Sequence, residues 1–489
     1  MSRSSNTIAL TMARGVATVS ALVIAAVLSR VLDKHDYATY RQTLLVYMMV
    51  APILALGLPA SLLYFVSSEP QRRRAIIFET VIITLVTGLL FALFCIGPGQ
   101  WLLPDHFDNA LLATTIPLLG LYAIGRLAMG LLEPCLVACG RAPLSALFSA
   151  GVHVTGIVAV CIIAVITVSP SSVVLAQGVI FFIAAIAAVT LMHFLTNKEV
   201  GSPVSIKGAR RQLHYAIPLS VAMMLDTLSM AVDKIYISIL RPTEDYAIFV
   251  NGAMEIPFVG ALTMAVGAVM LPELVSAFKK NDENRALSLW KLSIKRVSFI
   301  VFPLFFLLFA FAEEIVIALY SNEFRESVHP FRIYLFILPA RAIFFGLLFR
   351  GAGLPGLVVR RAILGLIINV LITYPFIKWF GTNGAALATI LSFWVFVIPF
   401  STALCVRVAA TTLKEVFPWR YMGGLMALGL LACGMTFLFE LVLTNWPPIL
   451  ELALRVLVFS VIFIGGLSIF YRGDLIQFAG YFRKGFNFR

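Results

Sequence analysis

Residues 143–195 read PLSALFSAGVHVTGIVAVCIIAVITVSPSSVVLAQGVIFFIAAIAAVTLMHFL, a stretch without a single Asp, Glu, Lys or Arg. Polar and proline residues near 169–171 divide it into two apolar segments, each longer than the roughly 20 residues that a membrane-crossing helix needs. Similar segments recur along the chain, near 8–31, 42–66, 75–97, 111–138, 143–168, 172–195, 213–240, 246–274, 297–320, 329–349, 357–378, 383–406, 421–443 and 452–471. The sequence therefore predicts an all-α, polytopic membrane protein with about 14 transmembrane helices.

The composition of the whole chain agrees with this prediction. Of 489 residues, 61% are hydrophobic and 12% are charged, and the mean hydropathy is +0.97. Soluble domains have roughly 45–50% apolar and roughly 25% charged residues. These values exclude a soluble enzyme. The 6 cysteines show no metal-ligand spacing with histidine, so no metal site is predicted.

The distribution of positive charge predicts the orientation of the chain. Of 37 Lys and Arg residues, 25 fall in alternate connections on one side, 7 on the other side and 5 within spans. Because basic residues accumulate in cytoplasmic connections, both termini are predicted to lie in the cytoplasm. The net charge of +13 is accordingly attributed to the basic residues of the cytoplasmic connections, and no nucleic-acid partner is predicted.

An internal repeat indicates how the helices are organised. DYATY at 36–40 is followed 209 positions later by DYAIF at 245–249, and three further short matches occur in order at offsets of 211 to 213. An even number of helices per repeat predicts two six-helix lobes related by an axis along the membrane normal, followed by two extra helices. The predicted domains are an N-lobe at 1–196, a cytoplasmic linker at 197–212, a C-lobe at 213–408, and helices 13 and 14 with a basic tail at 409–489.

Three passages carry a resemblance to a known family: LSRVLDKHDYATYRQTL (28–44), IPLSVAMMLDTLSMAVDKIYISILRPTEDYAIFVNGAMEIPF (217–258) and VMLPELVSAFKKNDENRA (269–286). With the two-lobe organisation, they resemble the polysaccharide-unit (Wzx-type) flippases of the MOP (multidrug/oligosaccharidyl-lipid/polysaccharide) superfamily. This resemblance implies a bacterial inner-membrane protein that flips an undecaprenyl-pyrophosphate-linked oligosaccharide to the periplasmic leaflet by alternating access. It also implies membrane lipid, H⁺ or Na⁺ as coupling ion, and glycan polymerase or export proteins as partners.

Four basic residues lie well inside predicted spans, where an ionisable group is costly and is tolerated mainly when it faces protein, water or a ligand. They are Arg14, Arg126, Lys234 and Arg341. Guanidinium groups bind phosphates in a bidentate manner, so the four are predicted to line one cavity that holds the anionic substrate. The alternative is a structural role in ion pairs or in snorkelling to the membrane surface.

Four acids are predicted to act in ion coupling or gating: Asp226, Asp233, Glu255 and Glu133. Asp226 and Asp233 are seven residues apart and share a helix face, and Glu133 is seven residues after Arg126 on one face of helix 4. A carboxylate at low dielectric can carry a proton near neutral pH. The alternative is that these acids neutralise the arginines. The repeat also places Asp226 opposite Arg14, a candidate interlobe latch.

Three functions remain open from the sequence. The leading one is the lipid-linked oligosaccharide flippase. The second is an ion-coupled exporter of small cationic solutes, which would require an acid-dominated cavity. The third is a membrane glycosyltransferase, polymerase or ligase, but the longest outward connection, 98–110, is too short for an active-site domain. The sequence contains no glycine-rich nucleotide loop, so it predicts a transporter without a cofactor and without catalytic residues.

Overall fold

The computed structural model describes residues 3–196, 204–254, 256–442 and 448–476, and within them the regular structure is helical. The first eleven α-helices are α1 (Arg3–Val31), α2 (Lys34–Ala55), α3 (Leu58–Ser68), α4 (Arg73–Phe94), α5 (Gln100–His106), α6 (Leu112–Met129), α7 (Leu132–Ala138), α8 (Ala142–Thr167), α9 (Pro170–Thr196), α10 (Ile206–Leu240) and α11 (Thr243–Gly252). The others are α12 (Pro257–Lys279), α13 (Glu283–Ala310), α14 (Ala312–Tyr320), α15 (Val328–Leu335), α16 (Ile337–Arg341), α17 (Gly346–Gly351), α18 (Gly356–Leu391), α19 (Ile398–Val408), α20 (Leu413–Val416), α21 (Trp419–Val442) and α22 (Pro448–Phe470).

The number of membrane crossings agrees with the sequence. Among the described residues, 11 helical stretches are long and apolar enough to cross a membrane, or 13 if each of two bent pairs is one span. The longest, Gly356–Val408, has 53 residues, and at about 1.5 Å per residue it would extend about 80 Å, far beyond the ~30 Å hydrocarbon core. Its backbone leaves the helical conformation at Gly381 (φ 60°, ψ −138°), between two predicted spans. The all-α polytopic fold is confirmed.

Several predicted spans consist of two helices. The predicted span 111–138 divides between α6 and α7, because Pro134 has no N–H to donate to the carbonyl of Gly130 and its ring displaces that carbonyl. At the break the Leu131 N–H bonds instead to the Ala128 carbonyl, three residues back, at 3.2 Å. Arg126 and Glu133 therefore lie on either side of a break. The stretch Leu112–Ala138 still forms one candidate span, and that the two side chains share one face of it stays a prediction.

Contacts group the chain into two compact units. The first contains Met1–Asn251, Val316–Ser327 and Asn369–Ala388, and the second contains Gly252–Ile315, Val328–Ile368 and Thr389–Arg489. The first unit thus holds α10 and α11 in addition to the helices of the predicted N-lobe. The lobe boundaries were predicted from an internal repeat, which contacts do not test, so the division at 197–212 stays a prediction.

Helix α10 is held in the first unit by contacts with α2 and with the junction of α2 and α3. The Ser220 hydroxyl donates to the Pro52 carbonyl at 2.6 Å. In a continuous helix the Pro52 carbonyl would accept from the Leu56 N–H. That N–H donates instead to the Ile53 carbonyl at 3.2 Å, which leaves the Pro52 carbonyl available to Ser220. Gly57, which has φ of +69°, lies against the backbone of Ala216, where a Cβ atom on Gly57 would meet the Ala216 carbonyl oxygen at 2.3 Å. The close approach of these helices therefore depends on the absence of a side chain at Gly57.

The second unit has its own apolar core and carries the two last helices. Trp290, Leu274 and Phe349 are buried in this core, and α21 packs against α13 and α22. On α22 the buried guanidinium of Arg455 donates to Glu314 at 2.7 Å. The same Nη1 lies 3.6 Å from Oε1 of Glu451 on α22, so two carboxylates neutralise this buried charge. The contact with Glu314 fixes α22 on the second unit.

Candidate functional site

Arg14 forms an ion pair within the first unit. Its Nη2 donates to Oε1 of Glu133 on α7 at 2.6 Å, and the two side chains are 63% and 38% exposed. Glu133 therefore neutralises an arginine, as the alternative interpretation of the acids predicts. The side chain of Asp226, the other predicted partner of Arg14, lies outside the part that the structure describes.

Arg126 is held by aromatic rings. Its guanidinium carbon lies 4.9 Å from the centre of the Phe181 ring on α9, and its side chain contacts Tyr122 one turn earlier on α6. Tyr122 packs edge-on against Tyr47 and Phe181, with ring centres 5.0 and 5.3 Å away. Among the described residues no carboxylate lies within ion-pair distance of Arg126. Cation–π contact stabilises the charge without neutralising it.

Lys234 and Asp233 are close neighbours on α10. Asp233 is only 2% exposed, and the Lys234 Nζ lies 3.8 Å from its Oδ1. The same Nζ donates to the Met230 carbonyl at 3.2 Å. This arrangement gives the lysine a nearby negative charge, so that its cost within the membrane is reduced.

The remaining predicted residues fall elsewhere. Arg341 ends α16 in the second unit and is half-buried. Glu255 lies outside the described residues. That Arg14, Arg126, Lys234 and Arg341 line one cavity stays a prediction. Within the described part of the chain, no group of three or more His, Cys, Asp or Glu side chains is arranged to hold a metal ion.

A buried polar network, which sequence reasoning missed, joins α2 to α11. We call Tyr37, Arg41, Tyr246 and Asn251 the tyrosine network. The Tyr37 hydroxyl donates to Oδ1 of Asn251 at 2.7 Å, and Nη1 of Arg41 donates to the same hydroxyl at 3.0 Å. The Tyr246 hydroxyl donates to the Arg41 carbonyl at 3.3 Å. Both tyrosines are almost fully buried, so these bonds fix the two helices to each other.

A second chain of buried amides extends the network toward α10. The Gln42 amide nitrogen donates to the Ser238 hydroxyl at 3.0 Å. The Asn109 amide nitrogen donates both to Oε1 of Gln42 at 2.6 Å and to the Thr39 hydroxyl at 2.9 Å. Because unpaired polar groups are costly in this environment, the chain specifies one arrangement of these helices.

Arg30 closes the same end of the first unit. Its guanidinium donates to the carbonyls of Leu319 at 2.5 Å, Ala318 at 2.6 Å and Ile317 at 3.4 Å. These carbonyls belong to the last turn of α14, where the Ile317 carbonyl also accepts from the Ser321 N–H at 3.0 Å and the carbonyls of Ala318 and Leu319 come too late in the helix for an internal partner. The contact therefore caps that turn and complements the negative end of the helix dipole. From the sequence alone, Arg30 and Arg41 are only two of the 7 basic residues on the non-cytoplasmic side.

The internal repeat contained a signal for the tyrosine network. Tyr37 and Tyr246 occupy the same position in DYATY and DYAIF, 209 residues apart. Repeats related by a pseudo-symmetry axis bring equivalent residues to equivalent depths. The repeat could therefore have indicated that the two tyrosines lie at equivalent depths, but not that both bond to Arg41.

Replacing Arg30 is expected to loosen the last turn of α14. Arg30→Gln removes charge-assisted hydrogen bonds worth about 1–2 kcal/mol in this exposed setting, so the amides of residues 316–320 should exchange about tenfold faster. Hydrogen exchange read by mass spectrometry measures this. Lys34→Gln removes a positive charge from the same connection and should leave the exchange unchanged. Equal rates in wild type and Arg30→Gln would show that the contact does not stabilise the turn.

The fold places the protein in a class. Its polytopic helical fold is shared with the lipid II flippase MurJ in an inward closed conformation, on which it superposes with a TM-score of 0.72. That likeness covers 96% of this chain and 100% of the other at 15% identity. An inward-facing multidrug resistance MATE family transporter of the MOP superfamily gives a TM-score of 0.60 at 13% identity, covering 81% of this chain and 95% of the other. The predicted resemblance to the MOP superfamily is confirmed.

Residues 4–278, more than half of the chain, match the polysaccharide biosynthesis protein family, and the chain belongs to that family. A curated relative is the probable low-salt glycan biosynthesis flippase Agl15 of Haloferax volcanii, 27% identical over 196 residues. The match covers 39% of this chain and 40% of that relative. It therefore spans less than half of the length of either protein.

Proposed function

We propose that the protein is a flippase that moves a lipid-linked oligosaccharide across the cytoplasmic membrane. The observation that carries this proposal is the guanidinium of Arg126, which is embedded in a predicted span, faces aromatic rings and has no carboxylate partner among the described residues. A flippase substrate with a pyrophosphate group would supply the missing negative charge. Family membership and the fold shared with the lipid II flippase MurJ support the same function.

Charge inside the membrane explains why a free guanidinium favours an anionic substrate. A phosphate that leaves water must exchange its hydration for protein donors, since unpaired charge at low dielectric costs many kcal/mol. The planar guanidinium offers two parallel donors to phosphate oxygens, and these charge-assisted bonds recover part of the cost. Tyr122 and Phe181 fix the position of Arg126 before the substrate arrives, which reduces the cost of ordering the site.

The acids of the first unit argue against the cation exporter. Three described acids lie within the apolar segments that the sequence predicts for this unit: Glu79 is 3.3 Å from Arg72, Glu133 is 2.6 Å from Arg14, and Asp233 is 3.8 Å from Lys234. Each already has a basic partner. A site for a cationic solute needs carboxylates that are available to it, so this pattern favours an anionic substrate.

The tyrosine network and Arg30 suggest how access would alternate. They join α1 and α2 of the predicted N-lobe to α11 and the end of α14 in the predicted C-lobe. The charge count predicts that this end faces away from the cytoplasm. We propose that these contacts form the outer gate, which opens when the substrate is released. Hydrogen bonds of modest net strength suit a gate, because they can be exchanged for water.

The proposal extends to the lipid carrier, the membrane, the coupling ion and the partner proteins. The carrier would be undecaprenyl pyrophosphate, the membrane a bacterial inner membrane with both termini in the cytoplasm, and the coupling ion H⁺ or Na⁺. Asp226, Asp233 and Glu255 stay predicted members of the coupling site, and Asp233, which is buried and paired with Lys234, would take up the ion only when that pairing opens. Glycan polymerase or export proteins would act on the flipped product.

A reconstituted assay tests the proposal. Purified protein in liposomes should raise the rate at which a labelled polyprenyl-pyrophosphate oligosaccharide becomes accessible to a membrane-impermeant glycosidase. An imposed H⁺ or Na⁺ gradient should change this rate, because the proposed carboxylate carries the ion. Protein-free liposomes give the background rate. Transport of a cationic dye such as ethidium in place of the glycan would support the exporter instead.

A further inference from the structure

The second unit contains a basic and aromatic cavity that the proposed transport step does not use. Its volume is about 680 Å³, and its wall is formed by the first turns of α13, by α20 and by the start of α21. We name it the α13–α21 pocket and define it by Lys291, Lys295, Lys414, Trp419, Arg420 and Tyr421. We propose that this pocket binds the head group of an anionic phospholipid.

The position of the pocket fits a lipid head group. The candidate span that runs along α21 begins at Trp419, so the pocket lies at the end of a membrane-crossing helix. Phospholipid head groups lie at this level, and tryptophan and tyrosine are enriched there because one part of the ring is apolar and another is polar. The charge count predicts that connections 275–296 and 407–420 are cytoplasmic, which places the site in the inner leaflet.

The charges that line the pocket favour an anionic ligand. Four basic side chains line it, against the single acid Glu415. Among the described residues, Lys291, Lys295, Lys414 and Arg420 have no carboxylate within ion-pair distance. Lys291 and Lys295 are four residues apart on one face of α13 and are both half-buried. Like charges held so close repel each other, and a bound phosphate relieves that repulsion.

Hydrogen bonds and ring contacts hold the aromatic wall in place. The Trp419 indole N–H donates to the Leu413 carbonyl at 3.0 Å, and the Phe417 ring packs against Trp419 and Trp290 with centres 4.9 and 5.5 Å away. The Lys295 Nζ lies 5.5 Å from the centre of the Tyr421 ring. These contacts hold the cavity open before a ligand enters. Basic pockets between membrane helices on the cytoplasmic side are typical sites for anionic lipid head groups.

Native mass spectrometry of the purified full chain tests the proposal by comparing bound phosphatidylglycerol with phosphatidylcholine of the same acyl chains. Wild type should prefer phosphatidylglycerol. Lys291→Gln/Lys295→Gln should reduce that preference about 30-fold, since the two basic residues contribute about 1 kcal/mol each and about 1.4 kcal/mol corresponds to a factor of ten. The matched control Lys279→Gln/Lys280→Gln removes two exposed lysines at the end of α12 and should keep the preference.

Two further measurements distinguish loss of lipid binding from loss of folding and from binding of free phosphate. Lys291→Arg/Lys295→Arg preserves the charge and should retain the preference, which separates loss of binding from loss of folding. Inorganic pyrophosphate at millimolar concentration should not displace phosphatidylglycerol. If pyrophosphate displaces the lipid, the pocket is a site for free phosphate and the proposal is wrong. An unchanged preference in the Lys→Gln pair would also overturn it.

Discussion

Arg126→Ala is expected to abolish glycan export while the protein remains inserted and folded. Removing two charge-assisted hydrogen bonds to a phosphate costs about 3 kcal/mol, which corresponds to ~100-fold in the transport rate if the bonds act in the rate-limiting step. The cation–π contact with Phe181 and the contact with Tyr122 contribute less, so folding should tolerate the change. The measurement is surface glycan in cells that depend on this protein, together with the liposome assay.

Two variants serve as controls for Arg126. Arg126→Lys keeps the charge but not the bidentate fork, and should retain partial activity. Arg141→Ala removes an exposed arginine from the connection between α7 and α8, and should export normally. Normal export by a folded Arg126→Ala protein would refute the anionic-substrate proposal and favour the cation exporter.

Gly57→Ala is expected to destabilise the first unit strongly. The new Cβ would lie 2.3 Å from the carbonyl oxygen of Ala216, and the φ of +69° is unfavourable for any residue with a side chain. Strain of about 1 kcal/mol and overpacking of about 1–3 kcal/mol together take a large part of the net stability of a typical protein. The thermal unfolding of the purified protein should shift down clearly, with a smaller folded fraction after extraction.

Gly140 supplies a matched control for this effect. It has nearly the same backbone conformation, with φ of +74°, but nothing lies within 4 Å of the position of its Cβ atom. Gly140→Ala should therefore show only the cost of the backbone strain. If the two variants unfold at the same temperature, close packing of α10 against the α2–α3 junction does not stabilise the protein.

Arg14 and Arg126 have different surroundings that sequence reasoning could not distinguish. Both are arginines within apolar runs, and both were predicted to bind an anion for the same reason. The structure gives Arg14 a carboxylate partner from α7 and surrounds Arg126 with rings from α6 and α9. The partner of Arg14 is 119 residues away in the chain, and no local pattern reports a contact of that separation.

The sequence by itself determined the class of fold, because membrane crossing depends on local properties: the length of an apolar run, its lack of charge and the basic residues that flank it. The same locality allowed the repeat to indicate two related sets of helices. Tertiary structure alone decided which membrane-embedded charges are neutralised, how Tyr37 and Tyr246 meet at Arg41, and which helices Gly57 allows to approach. These features arise where helices distant in the chain come together, and the energy of each depends on the distances and angles between side chains that composition and spacing do not fix.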